Sequence, residues 1–141
     1  MTVSKNQIEL KTGTHWIEDS CVHSAFFIPN GCPMIDSRMI REHIEALDHF
    51  LDDNLRIPFL IDLTSSESVF SFDALKTWGQ SNKLNAYRSA EVYVVDTLAD
   101  LIFLKQHIRL NKLDYPARVF QSIIKAKDWL RKLGNNHHSP I

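Results

Sequence analysis

Residues 56 to 64 read Arg-Ile-Pro-Phe-Leu-Ile-Asp-Leu-Thr, and no other stretch limits the fold as tightly. The apolar run is continuous, ends in polar residues, and leads through Ser65-Ser-Glu-Ser-Val-Phe-Ser-Phe72 into a capped helical pattern. A strand open to water on one side alternates polar and apolar residues. A run without alternation has both faces covered, as in the middle of a parallel sheet. Pro58 lacks an amide donor and belongs near the strand's start, which predicts a strand over about residues 57–63.

The remaining elements fall in place around it. Gln7 to Lys11 alternates, and Thr14–Glu18 and Cys21–Ile28 read as two further strands joined tightly at Asp19-Ser20. Trp16 is expected to pack inward. Pro29-Asn-Gly31 then breaks the pattern. Ile40, Ile44, Leu47 and Leu51 recur at helical spacing, so a helix over about residues 37–53 is predicted, with Asp36 as its cap and Glu42, Glu45, Asp48 and Asp52 on its acidic outer side. Ser71 caps a second helix over about 72–87, in which Gly79 costs about 1 kcal/mol relative to Ala. A β-branched strand follows at 90–95. A third helix runs from Leu98 to about Leu113 and stops before Tyr115-Pro116. A strand at 117–120 and a fourth helix over 122–133, closed by Gly134, complete the pattern. Three strands followed by alternating helices and strands imply an α/β fold: a mixed sheet, an antiparallel N-terminal meander and a parallel core with helices against it. Residues 1–134 are read as one domain, and 135–141 as a disordered tail.

Composition narrows the class. A chain of 141 residues with 44% hydrophobic and 23% charged residues is ordinary for a single globular domain. No apolar run approaches the roughly 20 residues needed to cross a bilayer. The N-terminus lacks the basic start and apolar stretch of a secretory signal, so a cytoplasmic protein is expected. Two cysteines, Cys21 and Cys32, set no disulfide framework. Charge is distributed unevenly: residues 1–100 carry a net −7 and residues 101–141 a net +6. Such asymmetry can drive head-to-tail association or dock an acidic partner, although two solvated basic helices explain it more simply.

Sites of chemistry are sparse. His15 and His23 fall on strands, His43 and His49 on the first helix and His107 on the third, and no helical pair has metal-ligand spacing. No nucleophile elbow and no phosphate-binding glycine loop is present. Cys21, inside a strand, reads as a buried structural thiol. Asp62 and Asp96 both follow predicted parallel strands, where open α/β sheets place their ligands, but a turn-forming role explains each as well. Thr64 to Ser68 and the cap Ser71 form a polar group at an amide-rich helix start, where an anion or a phosphate on the serine would be favoured. Lys105, Arg109 and Lys112 form a basic stripe, extended by Lys125, Lys127, Arg131 and Lys132 on the last helix. The nearby aromatics Phe103, Phe120 and Trp129 read as packing residues, and a pI near 6.6 argues against nucleic acid as the partner.

The strand Pro58-Phe-Leu-Ile-Asp62-Leu-Thr64, its serine-rich loop and the helix after it resemble the STAS-like, or SpoIIAA-like, family of anti-sigma-factor antagonists. Trp16-Ile-Glu-Asp19, and Tyr115-Pro-Ala-Arg-Val-Phe120 with Ala126-x-x-Trp129-Leu130, are similar to small uncharacterised bacterial members. In regulatory members a kinase phosphorylates a serine at the start of this helix and so controls binding to an anti-sigma kinase. Ser71 is the matching position, in Val69-Phe-Ser-Phe72 where the family has an Asp-Ser-Ser-Gly-type signature. The resemblance implies a non-enzymatic regulatory or protein-interaction domain whose recognition surface is the loop 64–72, with Ser68, Ser71, Asp62 and Asp96. Its partner would be another protein or a second copy of the chain, with no cofactor, metal, nucleic acid or membrane insertion. A small-ligand or lipid carrier on the same fold, with an apolar pocket between helices and sheet, is the alternative.

Overall fold

Strand direction divides the chain into two halves. In the computed structural model, which describes residues 2–4, 6–28, 31–52, 55–64 and 70–137, the first four strands are β1 (Thr2–Ser4), β2 (Gln7–Leu10), β3 (Gly13–Glu18) and β4 (Cys21–Phe26). They form an antiparallel meander. β1 was not expected from the sequence. Its partner β2 shows the alternation that a three-residue edge is too short to display. Asp19 and Ser20 take positive φ of 53° and 56°, the conformation of the tight hairpin turn whose twist matches right-handed strands.

From β4 onward every pairing is parallel. Helix α1 (Ser37–Phe50) leads to β5 (Ile57–Asp62), α2 (Phe72–Gly79) and α3 (Asn82–Asn85) to β6 (Arg88–Val94), and α4 (Leu98–Leu110) to β7 (Ala117–Phe120). Helix α5 (Ile123–His137) ends the described chain. All seven strands lie in one sheet in sequence order. The apolar run at 57–62 therefore has a neighbour on each side and is buried on both faces: Phe59 and Ile61 on one, Leu60 on the other.

Several elements depart from expectation. The helix predicted over 72–87 breaks at Gln80-Ser81, where the Ser81 hydroxyl accepts the Leu84 amide and starts a separate short helix. Gly79 sits at this break because a Cβ there would lie 2.6 Å from Leu113 Cδ2 and 3.2 Å from His107 Cε1. Helix α4 stops at Leu110, with Asn111 capping it and Lys112 in the left-handed region at φ 40°. Helix α5 passes through Gly134, read as its stop, to His137, so residues 135–137 of the expected disordered tail are helical, and 138–141 lie outside the described residues. Without a positive φ, Gly134 lowers helix propensity but does not end the helix.

The strictly sequential strand order has a consequence for the helices. Each crossover steps the same way, so α1, α2 and α4 all pack on one face, with Ile40, Leu47, Leu75, Trp78 and Leu104 in a single core against Val22, Phe59 and Tyr93. Among the described residues, only α5, after the last strand, covers the other face, with Ala126, Trp129 and Leu130 against Leu60, Val92 and Val94. A helix about 10 Å wide spans about two strands set about 4.8 Å apart, so β2 and β3 keep this second face partly open, while Cys21 and His23 of β4 are buried. Trp16 faces that open side, half-buried and stacked on His23 at 5.5 Å, rather than the main core.

Candidate interaction surface

Asp62 ends β5, Ser71 caps α2 and Asp96 follows β6, all on the carboxyl-end side of the parallel strands, and most have local work to do. Asp62 Oδ1 accepts the Thr64 amide at 2.9 Å and its hydroxyl at 2.6 Å, which forms the turn after β5. Asp96 is exposed, and its backbone carbonyl accepts Gln121 Nε2. Because the strand order never reverses, these strand ends have no switch-point crevice of the kind that collects ligands in doubly wound sheets. Ser71 Oγ accepts the Ala74 amide at 3.0 Å, and its own amide donates to the Ile35 carbonyl beside the Ile35–Phe70 bridge. Ser68 and the rest of the loop 65–69 lie outside the described residues.

The start of α2 leans on α4. Phe72, next to the cap, meets Phe103 edge to face at 6.2 Å and remains 37% exposed. Helix α4 buries Leu104 and His107 and turns a second stripe outward, uncovered among the described residues: Leu98, Ile102, Lys105 and Arg109, at spacings of four, three and four. Leu98 is 63% exposed and Ile102 52%, with Leu110 beside the stripe at 58%. Large apolar residues this exposed and this close are informative where a lone one is not. Lys112, read as part of the stripe, stands beyond the helix cap and leaves its line.

Two buried polar clusters escaped the sequence reading. Glu91, wholly buried, accepts from Arg88 Nη1 and Trp78 Nε1 on one oxygen (2.9 and 2.8 Å) and from the Tyr93 and Tyr115 hydroxyls on the other (2.6 and 3.1 Å). Arg88 Nη2 donates to the Trp78 and Gly79 carbonyls and to Asn85 Oδ1, and its guanidinium lies 4.1 Å from the Tyr115 ring centre. Arg88 Nε is a buried nitrogen without a partner among the described residues. Burial, with Glu91 next to them, pushes both tyrosine hydroxyls well above their usual range. In the sequence Arg88 lay just outside the predicted strand, and Glu91 looked like an ordinary charged residue. A lone carboxylate in an otherwise β-branched strand, with an arginine three residues before it, was the available signal.

The second cluster joins elements far apart in the chain. Thr12 Oγ1, His43 Nε2 and Nδ1, His15 Nε2 and Nδ1, and Ser24 Oγ follow one another at 2.5, 2.7 and 2.7 Å. Burial holds His15 well below the ordinary histidine range, with His43 beside it adding to the effect, and brings His43 down to about 4. His15 also stacks on Trp78 at 6.1 Å, so both clusters meet under α2. Apart from Arg88 Nε, the donors and acceptors named here are used within the clusters and on nearby backbone, and this ties α1, α2 and α3 to the sheet. Cys21 is buried, and burial pushes its thiol up to about 12, as a structural cysteine requires.

Comparison with protein-family models and with curated proteins gives no match. Among solved structures, the chain is similar to the crystal structure of an uncharacterized protein of the DUF3478 family with a SpoIIAA-like fold, from Shewanella loihica PV-4. The two are 13% identical, the match covers 92% of this chain and 98% of that one, and the TM-score is 0.55. At that identity the likeness is one of fold. The chain is an α/β domain with the SpoIIAA-like fold, and among its described residues no helix is long and apolar enough to cross a membrane.

Proposed function

We propose that this domain is a non-enzymatic regulatory module that binds a partly acidic segment of another protein, or of a second copy, through the start of α2 and the outer stripe of α4. The observation that carries this reading is the stripe itself. Leu98 and Ile102 offer apolar contact, while Lys105 and Arg109 continue the same line with positive charge. The buried centre of a protein interface is apolar and its rim polar, and a basic rim selects acidic partners and speeds their encounter. The acidic outer side of α1 makes a second copy one such partner. Ser71 lies at the α2 end of this surface, where a phosphate would meet helix-start amides and add charge beside Phe72.

A photo-crosslinking side chain placed at Ile102, and at the exposed Glu9 on β2 as control, tests the reading in the native host. A discrete adduct from position 102 is expected, absent from position 9 and lost when Lys105→Glu is combined with Arg109→Glu. Ser71→Asp should change its yield and Ser71→Ala should not. Equal labelling from both positions would refute the interaction surface. An adduct of twice the chain's mass would identify the partner as a second copy.

A further inference from the structure

On the opposite side of the sheet, β4, β5 and α5 enclose a groove of about 350 Å³ that none of the preceding interactions uses. Topology creates it. Among the described elements α5 is the one helix on this face and lies over β6 and β7, so its edge and the starts of β4 and β5 leave a trough between them. Cys21, Pro58, Leu60 and Leu130 make an apolar floor. Burial keeps the Cys21 thiol protonated and uncharged. Pro58 presents no amide, so the floor has no donor at that position. The His23 ring, stacked against Trp16, closes one wall, with Nε2 donating to the Glu18 carbonyl at 3.3 Å.

The rim is charged on one side. Lys127 and Arg131, one helical turn apart, stand over the floor from α5. Arg131 and Lys132 share Asp128, while Lys127 has no carboxylate within ion-pair distance among the described residues. Asp19 faces them from the β3–β4 turn, so the α5 side is the anion-attracting one. A trough of this volume lies at the lower end of small-ligand sites, about 300–1,000 Å³, and such sites combine an apolar lining with a few polar groups that fix orientation.

We infer that this groove binds a small amphipathic anion, with a short apolar body lying on Cys21, Leu60 and Leu130 and a single carboxylate or phosphate held by Lys127 and Arg131. The site is on the face opposite the α4 stripe, so it is independent of the proposed interaction surface. Its affinity is modest, because the rim charges are exposed and part of the Arg131 charge is already taken by Asp128.

The full-length chain, isotope-labelled, is titrated by NMR with octanoate, octyl phosphate, octylammonium and inorganic phosphate, each below any micelle-forming concentration. Octanoate or octyl phosphate should produce saturable shifts at Cys21, Leu60 and Leu130, and their ratio tells carboxylate from phosphate. Octylammonium should bind about fivefold more weakly or worse, as expected for an ion pair at a partly exposed rim. Inorganic phosphate should not saturate. Lys127→Glu should reverse the preference for anion over cation, and Leu130→Lys should abolish binding of the octyl chain. Ile102→Asp, on the other face, should leave all of this unchanged. Absent shifts at the groove, equal binding of octylammonium, or an unaltered preference in Lys127→Glu would each overturn the proposal. A chain whose spectrum responds at α4 rather than at the groove would do so as well.

Discussion

The two faces of the sheet were built by different means. The face under α1, α2 and α4 is closed, and its polar groups sit in the interior: Arg88 with Glu91, and His15 with His43, all fully buried and bonded to one another. The face under α5 is half open, and its charges stay at the rim on exposed Lys127 and Arg131. Charge buried in a low-dielectric core is costly unless every partner is present, so the first face is rigid and intolerant of single changes. Charge at a wet rim costs little and stays available to whatever approaches. The comparison teaches that in this fold the polar residues most deeply engaged are those least free to act on a ligand.

The largest effect that could break this contrast is at Glu91. Glu91→Leu leaves the Arg88 charge buried without its carboxylate and should cost about 3–5 kcal/mol in urea unfolding. Adding Arg88→Met should return much of it, because the uncompensated charge is then gone. On the surface, Glu45→Gln, which removes the exposed Lys83–Glu45 pair, should leave the midpoint where it was. If Glu91→Leu proves as mild as Glu45→Gln, the buried cluster does not hold the fold.

Acid should act on the closed face next. His15, His43 and His107 are all held below the ordinary histidine range, chiefly by burial. The unfolded chain therefore takes up protons first as pH falls. Stability is complete above about pH 7 and declines through the window from 6.5 down to the folded value, which for His43 is about 4. That interval corresponds to roughly 3 kcal/mol for His43 alone, at about 1.4 kcal/mol per unit. Urea midpoints taken at half-unit steps from pH 7.5 to 4.5 should fall steadily. A flat profile would mean that these rings are already charged or already wet.

The smallest effect belongs to the open side. Ser20 holds a left-handed conformation, at φ 56°, in the two-residue turn that leads into the groove. Ser20→Gly removes the Cβ penalty there and should stabilise the chain by about 1 kcal/mol, against which glycine's greater unfolded freedom works. Differential scanning calorimetry would register a small rise in Tm. A fall would show that the serine makes a contact worth more than the strain.

Much of the architecture could be read in the chain because its signals are local. The caps at Asp36, Ser71 and Thr97 each accept the amide three residues on, at 3.0, 3.0 and 3.1 Å, where side-chain chemistry and sequence spacing alone place them. The candidate surface was only partly legible. Lys105 and Arg109 announced a basic stripe, but nothing local to Leu98 and Ile102 set them apart from the other apolar residues of the helix. Helix α4 has apolar residues on both sides, and only contact with the sheet decides which side is covered. Trp16 misled for the same reason: an aromatic in a strand says that something will be packed, not which face is closed.

The sequence by itself determined most of the strands and helices, several of their caps and the parallel core, because hydrophobic period, β-branching and capping act within a few residues of one another. Tertiary structure decided what lies far apart in the chain yet meets in space. It joined Thr12 and Ser24 through His15 and His43, surrounded Glu91 with donors from α2, β6 and the segment before β7, and left one sheet face half uncovered. None of these follows from local preference. Each depends on seven strands lining up in chain order, so that all the crossover helices fall on one side and a single helix is left for the other.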